Sequence, residues 1–393
     1  MTMRYILFVY LAILPILTQN SFSINKNLID SVSVASLINS VKDLSGEQRV
    51  NLNGIDTVIN KRQYNTTGNF LAENYLLIKG IELGYKTSYQ TCSETCKNII
   101  WESEGTIFQD SVVIIGAHFD SINPDDASGQ TIYLSPGAND NASGCAAIIE
   151  IARLLTNYKP IHKLKFIFWD EEEIGMTGSY YYSDSAKKNG EKIKLYINLD
   201  MLGWDKNDDG YMHIKYVPVG QSFSYAEKVV KICKETGIEL QPNPITPKKF
   251  FIGFSGDADY FWQYGFSAIG IADLADDNSL YHTQGDRIKY FNEQFFLNNT
   301  KLALALVMNA AYDVETNVNE NPVKKNLSIY PNPASDELII SGFEGDAEII
   351  YTIGISLWNG RINSGSRIDI SNLVNGIYFL KIKNSIQKFM VVR

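Results

Sequence analysis

Four short apolar runs in the sequence are each followed by side chains that can bind a metal ion or carry a proton. The runs are 112–117, 164–169, 196–199 and 268–272, and the groups after them are His118 and Asp120, the acidic run 170–173, Asp200, and His282. Imidazole nitrogens and carboxylate oxygens are the ligands that zinc accepts in catalytic sites. Because ligands of open α/β sheets bind at the carboxyl ends of the strands, we expect these groups to meet at one edge of a sheet.

A further carboxylate lies in the segment Pro136–Gly144, which reads PGANDNASG and places Asp140 near the start of a helix. Two histidines and three carboxylates suit a pair of metal ions that share one carboxylate. The charge of two Zn²⁺ ions would be balanced by Asp140, Glu173, Asp200 and one bridging hydroxide. Each feature alone has a simpler interpretation, such as a helix N-cap for Asp140 or a strand-end turn residue for Asp200. Their combination favours a metal site.

Several motifs occur in an order that resembles the co-catalytic di-zinc aminopeptidases of the bacterial leucyl aminopeptidase and aminopeptidase Y type. The motifs are Gly116-Ala-His-Phe-Asp-Ser121, Pro136–Gly144, Glu172-Glu-Ile-Gly-Met-Thr-Gly-Ser179, Asn198-Leu-Asp-Met201 and Tyr281-His-Thr283. The resemblance extends over roughly residues 30 to 315, and so many ordered matches make coincidence an unsatisfactory explanation.

The resemblance implies a role for each residue of the site. His118 and Asp200 would hold one zinc ion, Glu173 and His282 the other, and Asp140 would bridge the two. Glu172 would be the general base, which takes a proton from the metal-bound water and delivers it to the leaving amine. Asp120 would orient the imidazole of His118.

The acidic run offers competing candidates for the base and the ligand. Asp170 and Glu171 are adjacent to the two expected residues, but the spacing to the glycines of the motif selects Glu172 and Glu173.

One segment departs from the family, which often has Ser-Asp-His where this chain has Gly256-Asp257-Ala258. The departure bears on substrate contacts and leaves every expected metal ligand in place.

Aromatic residues near the end of the motif region have two interpretations. Tyr260, Phe261, Trp262 and Tyr281 are candidates for a pocket that takes an apolar N-terminal side chain, but aromatic residues at such spacing are more often part of the core.

The apolar runs alternate with helical patterns, among them 142–155 and 293–312. Several runs are apolar on both faces, which is typical of strands in a sheet covered on both sides. We therefore expect an α/β fold, a mixed and mostly parallel sheet with helices on both faces, of the zinc exopeptidase type. Between 28 and 85 the pattern predicts helices, the last ending at Gly80.

The chain divides into four predicted segments. Residues 1–23 contain Arg4, an apolar run too short for a membrane span and a polar stretch, which predicts a signal peptide. A catalytic domain is expected over 24–313 and a linker over 314–326, where polar residues lack periodicity. Short β-rich runs with turn signals predict a small C-terminal β-sandwich over 327–393.

The C-terminal module resembles the sorting domain that the type IX secretion system recognises. The resemblance is carried by Leu327–Asp336, Leu373–Phe379 and Lys388–Arg393. It implies transport through the periplasm to a secreted or cell-surface location, with the secretion machinery as a partner. A carbohydrate- or surface-binding sandwich has similar strand spacing and is the alternative.

The net charge bears on the possible binding partners, and the cysteine content bears on possible disulfides and metal sites. The net charge of −9 argues against nucleic acid and anionic membranes as partners, since both attract basic surfaces. Export permits disulfides, so Cys92 and Cys96 are candidates for a local pair. A zinc knuckle there is disfavoured because no second Cys or His pair lies nearby. Cys145 and Cys233 have the character of buried small residues.

These observations predict an exported zinc exopeptidase that acts on peptides and uses two zinc ions, most simply an aminopeptidase. A carboxypeptidase shares the di-zinc core, and a glutaminyl cyclase shares the fold but uses one zinc ion. A catalytically inactive binding protein would be expected to have lost ligands or the base, and none is missing here.

Overall fold

The computed structural model describes residues 26–124, 134–272, 278–312, 328–341, 344–351, 356–363, 365–382 and 385–393. These residues form two compact units, the first ending at 312 and the second beginning at 328. The predicted signal peptide, 1–23, and linker, 314–326, lie outside the described residues. No described helix combines the length and the apolar character that crossing a bilayer requires.

The first unit is built on an eight-stranded sheet. Its strands, preceded by the hairpin β1 (Val50–Leu52) and β2 (Ile55–Thr57), are β3 (Lys86–Thr91), β4 (Lys97–Ser103), β5 (Phe108–His118), β6 (His162–Trp169), β7 (Lys192–Asp200), β8 (Tyr211–Lys215), β9 (Gln241–Ile245) and β10 (Ala268–Ala272). The strand order is β3-β4-β6-β5-β7-β10-β8-β9. The central strands β6, β5, β7 and β10 are parallel to one another, while β3, β4 and β8 join antiparallel neighbours. The predicted mixed, mostly parallel sheet is confirmed.

Helices cover both faces of this sheet. They are α1 (Lys26–Asp30), α2 (Val34–Ser45), α3 (Thr67–Glu82), α4 (Ser143–Leu155), α5 (Thr177–Lys188), α6 (Ser222–Thr236), α7 (Ala258–Gln263) and α8 (Glu293–Tyr312). In β5, Val113 and Ile115 join the core that contains α4 and α8, whereas Val112 and Ile114 join a second core with α5 and α7. Alternate side chains of a strand point to opposite faces, so a strand buried on both faces is apolar throughout.

Two details between 28 and 85 differ from the expected helices. The hairpin of β1 and β2 interrupts the helical pattern between α2 and α3. Helix α3 also runs through Gly80 and ends at Glu82. A Cβ on Gly80 would lie 2.4 Å from the indole Nε1 of Trp101, so the glycine permits close packing of α3 on β4 and does not stop the helix.

The second unit consists of two antiparallel sheets. Its strands are β11 (Ser328–Tyr330), β12 (Glu337–Ser341), β13 (Gly345–Tyr351), β14 (Ser356–Ile362), β15 (Arg367–Asp369), β16 (Gly376–Ile382) and β17 (Ser385–Val391). One sheet has the order β11-β12-β15 and the other β14-β13-β16-β17. Leu338 and Ile340 of the first sheet share a core with Leu380 and Phe389 of the second. The expected C-terminal β-sandwich is therefore present.

Candidate metal centre

The carboxyl ends of the central parallel strands bring one histidine and two carboxylates together. His118 ends β5 and Asp200 ends the neighbouring β7. His118 Nε2 lies 3.1 Å from Asp140 Oδ1 and 3.5 Å from Asp200 Oδ1. These three residues form the group that we call the His118 side of the site.

A second group of three lies on the other oxygen of Asp140. His282 Nε2 is 3.1 Å from Asp140 Oδ2 and 2.9 Å from Glu173 Oε2. We call this group the His282 side. Each oxygen of Asp140 thus faces a different histidine, as expected for a carboxylate that bridges two ions. Ligand atoms of His118, Asp140 and Glu173 also all lie within 4.8 Å of one another.

The segment that carries Asp140 is a single π-turn, 138–142, immediately before α4. Asp140 has non-helical dihedral angles and its side chain does not cap the helix, so the N-cap interpretation is wrong. Its neighbours anchor the turn to the chain around Asp200. Asn139 Oδ1 accepts the backbone N–H of Gly203 at 2.8 Å, and Asn141 Nδ2 donates to the carbonyl of Leu199 at 2.9 Å. No metal-binding or acid–base pattern in the sequence distinguishes these two asparagines, because their partners are backbone groups of a distant segment.

The four acids that follow β6 divide into two pairs. Asp170 accepts from Asn69 Nδ2 at 2.9 Å and from the backbone N–H of Lys97 at 3.0 Å, and Glu171 accepts from the Thr95 hydroxyl. Asp170 therefore contacts α3 and the start of β4, and Glu171 contacts the β3–β4 turn. Glu172 and Glu173 are the pair that faces the site.

Glu172 lies against a glycine of the segment that departs from the family pattern. A Cβ on Gly256 would be 2.9 Å from Glu172 Oε1 and 3.8 Å from Asp200 Oδ2. The φ of Gly256 is +68°, which disfavours other residues. Gly256 therefore leaves room for the carboxylate of Glu172 beside the carboxylate of Asp200.

Asp120 contacts both the imidazole and the acidic run. Asp120 Oδ1 is 3.3 Å from His118 Nδ1. Its two oxygens also accept the backbone N–H groups of Glu172, at 3.1 Å, and Glu173, at 3.2 Å. Asp120 is only 1% exposed, so these contacts are shielded from water.

The electrostatics are those of acids and imidazoles crowded together away from water. Burial raises the pKa of Glu172 well above its usual range, and burial together with the charge of Asp140 raises the pKa of Glu173 to about 8. Burial alone would lower the pKa of His282, but the close carboxylates of Asp140 and Glu173 outweigh it and raise that pKa to about 10. For Asp140, both histidines outweigh burial and hold its pKa well below the usual range. Bound cations would replace these protons as the balancing charge.

The donor set fits metal ions. Among the described residues, His282 Nε2, Glu173 Oε1 and Asp200 Oδ1 are buried without a hydrogen bond of normal geometry. Buried polar atoms are rarely left without a partner, so these three atoms indicate a ligand that would complete their contacts. The mixture of imidazole and carboxylate suits zinc.

The aromatic candidates separate by location. Phe261 and Trp262 belong to the core beneath the sheet, which confirms the core interpretation for both. Tyr260 packs against Tyr180 with ring centroids 4.9 Å apart. Tyr281 is 44% exposed and stacks on His282 with centroids 3.6 Å apart, so it is the one of the four that lies directly beside the candidate centre.

Comparison with known proteins identifies the first unit. Residues 98–307, more than half of the chain, match the family described as peptidase family M28. The chain belongs to peptidase family M28. Residues 328–392 match the secretion system C-terminal sorting domain, which indicates export from the cell. The matched ranges lie within the two units that the structure describes.

Relatives of this M28 peptidase chain share only part of its length. A protein named probable leucine aminopeptidase 2, from Arthroderma benhamiae, is 30% identical over 243 residues, which cover 54% of this chain and 45% of that protein. The chain thus spans about half the length of the curated relatives that it matches.

Solved structures show the same fold at lower identity. The LapA aminopeptidase of Legionella pneumophila superposes with a TM-score of 0.60 at 17% identity, covering 74% of this chain and 75% of that one. A glutaminyl cyclase of Bacteroides thetaiotaomicron superposes with a TM-score of 0.54 at 21% identity, covering 71% and 98%. The fold therefore accommodates both activities, and the choice between them depends on the site.

Proposed function

We propose that this M28 chain is an exported metallo-aminopeptidase that binds two zinc ions and releases N-terminal residues from peptides. The observation that carries the proposal is the placement of Asp140, whose two oxygens each lie 3.1 Å from a different histidine. His118 and Asp200 would hold one ion, and Glu173 and His282 the other. A glutaminyl cyclase, which uses a single zinc ion, has no need of this second group of ligands.

Two zinc ions held there would supply Lewis acidity towards the scissile carbonyl and lower the pKa of a bound water. Glu172 lies beside Asp200 at Gly256 and forms none of the close histidine contacts that Glu173 makes. Its raised pKa suits a carboxylate that must take a proton and then release it to the leaving amine. Asp120 holds the backbone of Glu172 and the imidazole of His118 in place.

Export is the second part of the proposal. The C-terminal β-sandwich would be the signal for the type IX secretion machinery, and residues 1–23 the signal peptide for entry into the periplasm. The catalytic domain would span 24–313, with a linker over 314–326. Peptides outside the cell would then be the substrates.

The test combines zinc content with hydrolysis of a leucyl peptide and its N-acetylated copy. We expect about two zinc ions per chain, release of leucine only from the free amine, and a loss in kcat of about a hundredfold or more in Glu172→Gln. Glu171→Gln is the matched control, because Glu171 is the neighbouring acid but bonds to Thr95.

The other outcomes identify the alternatives. Cleavage of the acetylated copy from its other end would indicate a carboxypeptidase, and cyclisation of an N-terminal glutamine would indicate a glutaminyl cyclase. Bound zinc without any turnover would indicate a binding protein.

A further inference from the structure

A buried arginine lies behind the candidate metal centre. Arg62 is fully buried, and its guanidinium donates to four backbone carbonyls. The acceptors are Phe119 O (2.6 Å, from Nε), Leu44 O and Pro136 O (each 2.6 Å, from Nη1) and Gly137 O (2.8 Å, from Nη2). Phe119 lies between His118 and Asp120, and Gly137 lies three residues before Asp140. Arg62 therefore connects the segment of one histidine to the segment of the bridging carboxylate.

A buried carboxylate makes the corresponding connection on the other side. Asp286 is 4% exposed and follows His282 by four residues. Its Oδ1 accepts the backbone N–H of Asn139 at 2.8 Å, and its Oδ2 accepts that of Asp140 at 2.9 Å. Its carbonyl also accepts the N–H of Ala138 at 3.2 Å. Three hydrogen bonds thus connect the His282 segment to the turn that carries Asp140.

The two contacts complement each other along one short segment. Arg62 binds carbonyls at 136 and 137, and Asp286 binds amides at 138, 139 and 140. The side chain of Asp140 also faces both segments, since its Oδ1 faces His118 and its Oδ2 faces His282. Arg62 therefore connects the turn that carries Asp140 to the His118 segment, and Asp286 connects the same turn to the His282 segment.

The hydrogen-bond partners of Arg62 indicate that it holds backbone segments in place. Among the described residues Arg62 forms no salt bridge with a carboxylate, and its partners are neutral carbonyls. Burying a charged group in this way is costly unless its donors are satisfied. The planar guanidinium holds several acceptors at fixed angles, which the single nitrogen of a lysine does not reproduce.

We propose that Arg62 and Asp286 are positioning residues that hold the bridging carboxylate of Asp140 at the correct distance from the two histidines, with Arg62 acting on the His118 side and Asp286 on the His282 side. The inference rests on the proposed function, because it presupposes that both sides bind metal. It assigns each residue to one ion, so the loss of each should weaken one metal site more than the other.

The test measures zinc binding to the full chain by competition with a chromophoric chelator, one site at a time. Asp200→Asn removes a ligand of the His118 side and leaves the His282 side for measurement, while Glu173→Gln does the reverse. In the Asp200→Asn background, Asp286→Asn should weaken zinc binding by about 10- to 100-fold, and Arg62→Lys should have a much smaller effect. In the Glu173→Gln background the order should reverse.

Arg153→Lys is the matched control. Arg153 also donates through two nitrogens, to Glu150 at 2.7 Å each, but it is on the outer part of α4, with a side chain 44% exposed. It should leave both zinc constants unchanged. If Arg62→Lys does not fold, Asp286→Asn decides the proposal alone, because its effect on zinc binding should still be larger in the Asp200→Asn background than in the Glu173→Gln background.

Equal effects of both variants on both sides, or no effect on either, would overturn the positioning role. If the variants have unchanged zinc constants, two bound zinc ions and normal aminopeptidase activity, the positioning role is rejected and the proposed function stands. Two zinc ions without hydrolysis in the unmodified protein would reject the proposed function, while the zinc constants still decide the positioning role. A protein that binds no zinc would reject both.

Discussion

Asp120 Oδ1 accepts the backbone N–H of Glu172 at 3.1 Å, so the carboxylate that contacts His118 also holds the residue proposed as the base. The other oxygen of Asp120 accepts the N–H of Glu173. A change at Asp120 would therefore disturb the proposed metal ligand His118 and the proposed base Glu172 together, and its effects should exceed those of losing one hydrogen bond.

We expect Asp120→Asn to lower kcat/KM by about 10- to 100-fold, because an amide has only one oxygen with which to replace two acceptors. Zinc affinity should fall as well, since the contact to the His118 imidazole weakens. Steady-state kinetics and zinc titration measure the two effects. Asp43→Asn is the control, because Asp43 also accepts two hydrogen bonds, from Tyr75 and Gln48, outside the site. Equal kinetics in Asp120→Asn and the unmodified protein would contradict the role.

Gly256→Ala tests the space beside Glu172. The new methyl would lie 2.9 Å from Glu172 Oε1, so the carboxylate must move from its place beside Asp200. We expect kcat to fall by roughly tenfold or more with little change in zinc content, because the ligands are not crowded to the same degree.

Gly253→Ala is the matched control in the same loop. Gly253 has a φ of +100°, so alanine is strained there too, but no atom lies within 4 Å of the added Cβ. A similar loss of kcat in both variants would show that backbone strain, not crowding of Glu172, is responsible.

The positions of His118 and Asp200 at the ends of neighbouring strands could be predicted because each follows a recognisable apolar run. His118 and Asp200 end strands that are apolar on both faces, and parallel neighbours bring such ends to one edge. The four central strands and α8 were predictable for the same reason, since burial on both faces or a long helical period leaves a clear pattern.

Other features depend on contacts between distant parts of the chain. A glycine such as Gly80 is typical of a helix end, but here the helix continues through it. The indole of Trp101, which packs against Gly80, explains why a glycine stands at this position. Arg62 lies in a polar stretch, where a single arginine is usually exposed, and its carbonyl partners come from three separate segments. Asp286 resembles an ordinary turn residue until its amide partners are seen. A side chain that bonds to backbone groups needs no particular residue type at its partner, so the sequence contains no pattern that would reveal the contact.

The stability of the metal-free protein should depend on pH through Asp257. This residue is 1% exposed, neither of its carboxylate oxygens has a hydrogen-bond partner of normal geometry among the described residues, and burial raises its pKa from 3.8 to about 7. Between these values the folded chain keeps a proton that the unfolded chain has lost. The contribution of Asp257 to the free energy of unfolding should therefore fall as pH rises from about 4 to 7, and then level off.

Urea unfolding of chelator-treated protein at several pH values measures this effect. Asp257→Asn removes the titration, so the variant should gain on the unmodified protein as pH rises, by an amount on the order of 2–4 kcal/mol at pH 8. Parallel stability curves for the two proteins would show that Asp257 is ionised, or protonated, throughout this range in both states.

Cys92 and Cys96 are free thiols that face each other across the β3–β4 turn. Cys92 N–H donates to Cys96 O at 2.9 Å, which extends the strand register by one pair beyond Thr91 and Lys97. Opposed residues of antiparallel strands have Cα atoms about 4.5–5.5 Å apart, within the range that a disulfide spans. Oxidation outside the cell would join them, the two thiols losing two electrons and two protons to a disulfide oxidant.

We expect the exported protein to be lighter than the reduced chain by two hydrogens and to show two thiols after denaturation, from Cys145 and Cys233. The bond should stabilise the fold by about 2 kcal/mol, since the loop that it closes is short. Four thiols in protein recovered from outside the cell would show that the pair stays reduced.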